Sequence, residues 1–225
     1  MKQIVNNRLK SGVSVIVPAY NEEDYIEETI KNIPDDYEVI IVNDGSTDKT
    51  ARKVKKYPVI LINLSSNYGK GYAISRGLEY ASGSIIVLAD ADLGTSANLL
   101  RDLVKPVKSG EADVVIGTIK IKGGGLGLVR LLAHHGLKWM TGKTMASPLS
   151  GQRAINREVL SVLKPLSSGF GLEIGMDLDI IRNNIRYKEV ECDIRHRVTD
   201  KSLKGYWHRG KQFTHILYTM WLKRR

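Results

Sequence analysis

The chain has 225 residues, 42% of them hydrophobic and 26% charged, and a net charge of +10. That is ordinary composition for one large soluble domain with a core of its own, and no apolar run reaches the ~18 residues a membrane-spanning helix needs. The start, MKQIVNNRLKSG, has no apolar region of the kind a signal peptide carries, and the single cysteine, Cys192, excludes an internal disulfide framework and a cysteine zinc site.

A cytoplasmic location is the expectation. In chain order, VSVIV (13–17) reads as a buried strand. EEDYIEETIKNI (22–33) places Tyr25, Ile26, Thr29, Ile30 and Ile33 on one side of a helix. YEVIIV (37–42) is a second strand, stopped by NDGSTD. A helix over 48–56, strand VILIN (59–63), a helix over 70–81, a strand over 84–89, a helix over 96–108 and strand DVVIG (113–117) follow. Short apolar strands alternating with helices predict an α/β fold whose mostly parallel sheet is covered on both faces. Right-handed crossovers then place the strand C-termini along one edge, where such sheets bind ligands.

Three consecutive glycines, 123–125, break the rhythm within GTIKIKGGGLG (117–127). They predict a mobile loop or a close backbone approach. A helix over 127–140, SPLSGQRAI (147–155) as a strand entered through a turn, helices over 156–163 and 172–184, a strand YKEVECDI (187–194) and a helix over 204–225 complete the chain. The parse is a catalytic-sized domain over 1–200, with halves 1–117 and 118–200, and an appended basic helix over 201–225.

Charge is concentrated in that last segment. Residues 195–225 hold nine Lys/Arg and one acid, Asp200, against 25 basic and 23 acidic residues before them. Phe213, Ile216, Leu217, Met220 and Trp221 fall at i, i+3, i+4, i+7 and i+8 beside Lys211, Lys223, Arg224 and Arg225. Such a stripe packs on its own domain in the plainest reading. An anionic membrane surface or a homodimer interface are the alternatives.

The strand ends carry the unusual residues. The first ends in PAYNEE (18–23), where Pro18 closes the ladder. No Gly-x-Gly-x-x-Gly follows, which argues against a dinucleotide oxidoreductase. The second ends in NDGSTD (43–48): Asp44 and Gly45 turn the chain, Ser46 or Thr47 can cap the next helix, and Asp48 favours its start. The third leads to SSNYGKGYAISRG (65–77), where Lys70 between Gly69 and Gly71 at a helix N-terminus suits a phosphate or diphosphate. The fourth ends in VLADADL, where Asp90 and Asp92 sit two apart. In extended backbone both would point the same way and repel, and a divalent cation, Mg²⁺ or Mn²⁺, would relieve them. His134, His135, His208 and His215 read as packing or surface residues.

VSVIVPAYNEE, VNDGSTDKT, NYGKGYAISRGL and VLADADL, in this order and spacing, resemble family 2 glycosyltransferases of the GT-A fold. That fold is a Rossmann-like nucleotide-diphospho-sugar transferase architecture. The resemblance implies that Pro18, Ala19, Tyr20, Glu22 and Asp44 cradle the nucleoside of a nucleotide-sugar, with Asp44 facing the base. It places Lys70 beside the donor, Asp92 on the metal, and Asp90 with Ala91 at the ribose or sugar hydroxyls. GGGLGLVRLL, SPLSGQRAINREVL, GFGLEIGMDLDII and DIRHRVTD are similar to glucosyl-3-phosphoglycerate synthases, a retaining branch. By that likeness His196 is a further metal contact, Glu173 faces the sugar or acceptor, and Gly151 and Gln152 border the sugar; basic residues such as Arg197 are expected to stabilise the departing diphosphate. The family often has an acid where this chain has Gln152. The Arg and Thr that help hold phosphoglycerate there are Leu126 and Leu128 here, and two residues beside His196 are Ile194 and Val198. Phosphate pockets need such charged donors, so the donor side carries over and the acceptor does not.

The expected reaction is metal-dependent transfer of a sugar, glucose first, from a nucleoside diphosphate, UDP first, to a small-molecule or lipid-phosphate acceptor. Retention needs no protein nucleophile. Inversion needs a base, for which Glu173 is the candidate. The alternative enzyme is a polyprenyl-phosphate glycosyltransferase working peripherally at the inner membrane face. The alternative of another class is a non-catalytic anion or nucleic-acid binder, against which stands the lack of any nucleic-acid reading motif.

Overall fold

In chain order the elements are β1 (Val13–Ala19), α1 (Ile26–Asn32), β2 (Glu38–Asn43), α2 (Thr50–Val54), β3 (Ile60–Asn63), α3 (Lys70–Leu78), β4 (Ile85–Leu88), α4 (Leu100–Lys108), β5 (Val114–Ile119), α5 (Gly127–Thr141), β6 (Arg153–Asn156), α6 (Leu172–Arg182) and β7 (Tyr187–Cys192). Tight 3-10 turns at Gly94–Leu99 and Arg157–Ser161 precede α4 and follow β6. This computed structural model describes residues 12–119, 127–163, 171–192 and 217–223.

The strands make one sheet in the order β3-β2-β1-β4-β6-β5-β7. All pairs are parallel except those of β6, which runs antiparallel to both β4 and β5. Strands of Val and Ile buried on both faces produce this layering. Val15, Val17, Ile41 and Val87 pack under α1, α2 and α4 on one face. Ile16, Ile40, Ile86, Ile116 and Ile155 pack under α3, α5 and α6 on the other. Each such side chain, fully buried, stabilises the fold by about 1.5–3 kcal/mol.

Two expected elements are corrected in the second half. The strand expected over 147–155 is only Arg153–Asn156, because Pro148 and Gly151 hold 147–152 in turns, with Ser150 N–H donating to the Ser147 carbonyl. The helix expected over 156–163 is the 3-10 turn Arg157–Ser161, entered where the Asn156 side chain accepts from Glu158 N–H. The sheet is mostly parallel, as expected, with β6 as its antiparallel member, and the first residue of β6, Arg153, lies opposite Leu88, the last of β4. The loop before β6 therefore arrives at the same edge as the end of β4.

Of the helix expected over 204–225, residues 204–216, 224 and 225 lie outside the described residues, and 217–222 is helical. Met220 packs against Gly136 of α5. Lys223 pairs with Asp179, and its carbonyl accepts from Arg182. The apolar stripe is split: Met220 is buried, while Leu217 and Trp221 are exposed with Tyr218 and Leu222.

Candidate active site

Three parallel strand ends build one wall. Ala19 ends β1 and is buried, and its carbonyl accepts from Asp44 N–H at 2.9 Å. Pro18 lies opposite Val42 of β2. Tyr20 is exposed beyond them, and Glu22 N–H donates to Thr50 Oγ1 at 2.8 Å. Asp44 is buried, and its two oxygens accept from the backbone N–H groups of Tyr68 and Gly69, both at 2.8 Å. Gly45 sits at φ +71°, where a Cβ would lie 2.4 Å from the backbone of Ser66. Only glycine fits there. The turn after β2 is thus stapled to the loop 65–69, and that loop delivers Lys70 as the first residue of α3. At the start of α2 the covering side chain is Asp48, which accepts from Thr50 N–H at 2.9 Å and Glu23 N–H at 3.1 Å. Ser46, a capping candidate in the sequence, instead accepts from Asn21 N–H.

Lys70 Nζ lies 2.8 Å from Asp90 Oδ1 and 2.8 Å from Glu173 Oε1. The second Asp90 oxygen accepts from Gln152 Nε2 at 2.6 Å. Gly151 lies flat against this group: a Cβ there would be 2.7 Å from Asp90 Oδ2 and 2.8 Å from Lys70 Nζ. Burial opposes the charge on Lys70, but the carboxylates of Asp90 and Glu173 outweigh it and hold its pKa above the ordinary value. Lys70, Asp90, Gly151, Gln152 and Glu173 are therefore brought together.

Behind them lies a pair that the motifs did not announce. Arg153 and Asp177 have no solvent exposure, and Arg153 Nη1 is 2.6 Å from Asp177 Oδ1. Arg153 also donates to the carbonyls of Ser150 at 3.1 Å and Glu173 at 3.3 Å. Asp177 Oδ2 is buried with no hydrogen-bond partner among the described residues. Burial pushes the Asp177 carboxyl up to about 7, against the pull of Arg153 and helped by Glu173 and Glu189. The sequence did hold a signal: an Asp one turn after Glu173 on a largely apolar helix, and an Arg at the start of an apolar strand.

Asp90 and Asp92 do not share the extended geometry expected of them. β4 stops at Leu88, and Ala91 and Asp92 form a turn, with the Ala91 carbonyl accepting from Thr29 Oγ1 at 2.7 Å. The repulsion foreseen at Asp90 is met by Lys70 and Gln152. His196, Arg197, Leu126, Ile194 and Val198 lie outside the described residues, as does the side chain of Leu128. Among the described residues, no group of three His, Cys, Asp or Glu side chains is placed to hold a metal. His134 is half-buried, and burial together with Arg130 holds its pKa below the ordinary histidine value, Glu189 opposing.

Residues 14–161 match the model of glycosyl transferase family 2. The chain belongs to that family and has the GT-A fold. It is 37% identical over 121 residues to a dolichol-phosphate mannosyltransferase of Pyrococcus furiosus, covering 50% of this chain and 34% of that one. It is 30% identical over 202 residues to an undecaprenyl-phosphate 4-deoxy-4-formamido-L-arabinose transferase of Pectobacterium carotovorum, covering 82% and 59%. The chain spans about a third to three fifths of the length of such curated relatives. Among solved structures it superimposes on glucosyl-3-phosphoglycerate synthase of Mycobacterium tuberculosis in complex with Mn²⁺, UDP and glucosyl-3-phosphoglycerate. The TM-score is 0.80 and the identity 28%, over 96% of this chain and 82% of that one.

Proposed function

We propose that this family 2 glycosyltransferase moves a hexosyl group, glucose first, from a UDP-sugar to an acceptor, with Mg²⁺ or Mn²⁺ at the diphosphate. The observation that carries this reading is Lys70: a fixed ammonium at a helix N-terminus, at the C-terminal edge of the sheet, beside the turn held by Asp44. Pro18, Ala19, Tyr20, Glu22 and Asp44 line the nucleoside side. Asp90, Ala91, Gly151 and Gln152 face the sugar, and Arg197 supports the diphosphate. A solved neighbour binds Mn²⁺ with UDP and another binds Mg²⁺ with UDP.

Both Asp90 oxygens are already used, by Lys70 and Gln152. By the family resemblance Asp92 is the carboxylate of the pair assigned to the cation, with His196 as second ligand. Hard oxygen and imidazole nitrogen suit either ion, which when bound neutralises charge on the departing diphosphate. Lys70 adds to that neutralisation by turning from its carboxylates toward phosphate. Glu173 bears on the reaction through Lys70: its Oε1 is held by the ammonium at 2.8 Å. Retention, in which the acceptor attacks from the leaving-group side and the departing phosphate takes the proton, needs no protein base, whereas inversion would use Glu173 once Lys70 turns to phosphate. Calorimetry with UDP and Mn²⁺ tests the donor reading. Metal-dependent binding that disappears in Asp92→Ala is expected; binding indifferent to metal overturns it. The product anomer, read by NMR, decides retention.

A second reading is favoured by one observation. Tyr218, Trp221 and Leu222 are exposed on 217–222, in the basic segment, as is Trp139 on α5. Aromatic residues with nearby cations suit an anionic lipid surface, and relatives transfer sugars to polyprenyl phosphates. A lipid-phosphate acceptor reached from the cytoplasmic face fits that surface; a second copy of the chain is the competing occupant. Among the described residues no helix is long and apolar enough to cross a membrane. Sedimentation with anionic against neutral vesicles, beside the solution mass, separates these outcomes.

A further inference from the structure

We infer that Arg153, braced by Asp177, is a positioning residue that sets the Lys70 group from behind, joining the loop before β6 to the first turn of α6. The inference rests on the donor-site reading, since it gives Arg153 a role through Lys70 and none of its own toward substrate.

Three donors of one guanidinium reach three acceptors: the Ser150 carbonyl, the Glu173 carbonyl and Asp177 Oδ1. Two of those carbonyls belong to the machinery in front. Ser150 precedes Gly151, which lies against Asp90 and Lys70, and Gln152, which bonds Asp90. Glu173 itself holds Lys70. The planar fork fixes the angle between these two stretches of backbone, as a lysine cannot. Thus one buried side chain determines where both partners of Lys70 stand.

Stability alone does not account for this choice. A fully buried ion pair is often no better for the fold than two apolar side chains of similar volume. Here the pair leaves Asp177 Oδ2 without a partner among the described residues, which adds to its cost. Apolar side chains cannot hold the two carbonyls. What the pair supplies over a hydrophobic replacement is the fixed position of Ser150 and Glu173.

That contrast gives the test. Melting temperature, UDP binding with Mn²⁺, and hydrolysis across a panel of nucleotide-sugars are measured for the wild type, Arg153→Met, the double variant Arg153→Met/Asp177→Leu, and Arg153→Lys. Arg153→Met should lose both stability and turnover. The double variant should regain the melting temperature, yet its turnover of the donor the wild type prefers should stay down by at least about tenfold, because the ends of Lys70 and Asp90 are no longer fixed. Recovery of stability and turnover together would mean a merely structural pair and would overturn the inference. If the double variant does not fold, Arg153→Lys decides: it keeps the charge opposite Asp177 but not the fork. Reduced turnover in a folded Arg153→Lys supports the positioning role, and wild-type turnover rejects it. A wild type that binds no nucleotide defeats the donor-site reading first, and the inference with it.

Discussion

On the β1–β4 side of the site, Asp44 is satisfied by backbone N–H groups 24 and 25 residues further on, and the strands run parallel. On the β6–α6 side, Asp90 meets Gln152 across 62 positions and Lys70 meets Glu173 across 103. The first side is shaped by turns and main-chain hydrogen bonds, and the second by charged side chains from distant segments. The difference teaches that the donor wall is a local product of short motifs. The charge balance inside it depends on one antiparallel strand inserted between β4 and β5.

The largest expected effect comes from removing the residue where the two sides meet. Lys70→Met leaves Asp90 and Glu173 facing the same space without a cation and takes a charge from the donor. Turnover should fall by about 10²–10³; a drop under tenfold in steady-state assays would show that the two sides act separately. Gly151→Ala tests the contact more finely. Its Cβ must displace the ends of Lys70 and Asp90, not backbone. Turnover should therefore fall by about tenfold while stability drops by only about 1 kcal/mol in denaturant melts. Equal loss of both would place the strain in the fold instead.

Acid–base behaviour separates the sides next. Asp177 has a folded pKa of about 7 against its ordinary 3.8. Between those values the folded chain keeps a proton that the unfolded chain has lost, so this group's contribution to stability falls as pH rises through the window and levels off above about 7. Asp177→Asn cannot titrate. Calorimetric melting temperatures between about pH 4 and 7 should fall more steeply in the wild type than in this variant, and parallel curves would refute the assignment. The smallest effect belongs to an exposed pair away from both sides, Arg76–Glu79 on α3. Arg76→Ala should change stability by less than about 0.5 kcal/mol and leave turnover unchanged.

Much of the first side was legible. The strands and helices from β1 to β5 fall where apolar runs and helical spacing place them. The motifs holding Asp44, Lys70 and Asp90 stand at strand ends or at the start of α3. Helix ends were less legible: α1 begins at Ile26 rather than 22, and the N–H groups of Glu22 and Glu23 ahead of it donate to Thr50 and Asp48 on another segment. The second side was mostly illegible. In SPLSGQRAI, Pro148 and Gly151 signal a turn before the strand, but nothing signals that this strand runs backwards. The pairing of Lys70 with Glu173 joins two residues that no spacing rule relates. Of the terminal stripe, Phe213 and Ile216 lie outside the described residues, and helical spacing shows which residues share a face but not which of them finds a partner. Met220 found Gly136, while Trp221 stayed exposed.

The sequence by itself determined the alternation of strand and helix, the edge at which ligands meet the sheet, and the residue types gathered there. Those follow from local periodicity, turn chemistry and motif order, each readable within about a dozen residues. Only the tertiary structure decided which carboxylates neutralise Lys70, that Gln152 meets the second oxygen of Asp90, and that Arg153 and Asp177 are buried together behind them. Those facts depend on where β6 enters the sheet. The direction of a four-residue strand is set by the partners it finds, not by its own side chains.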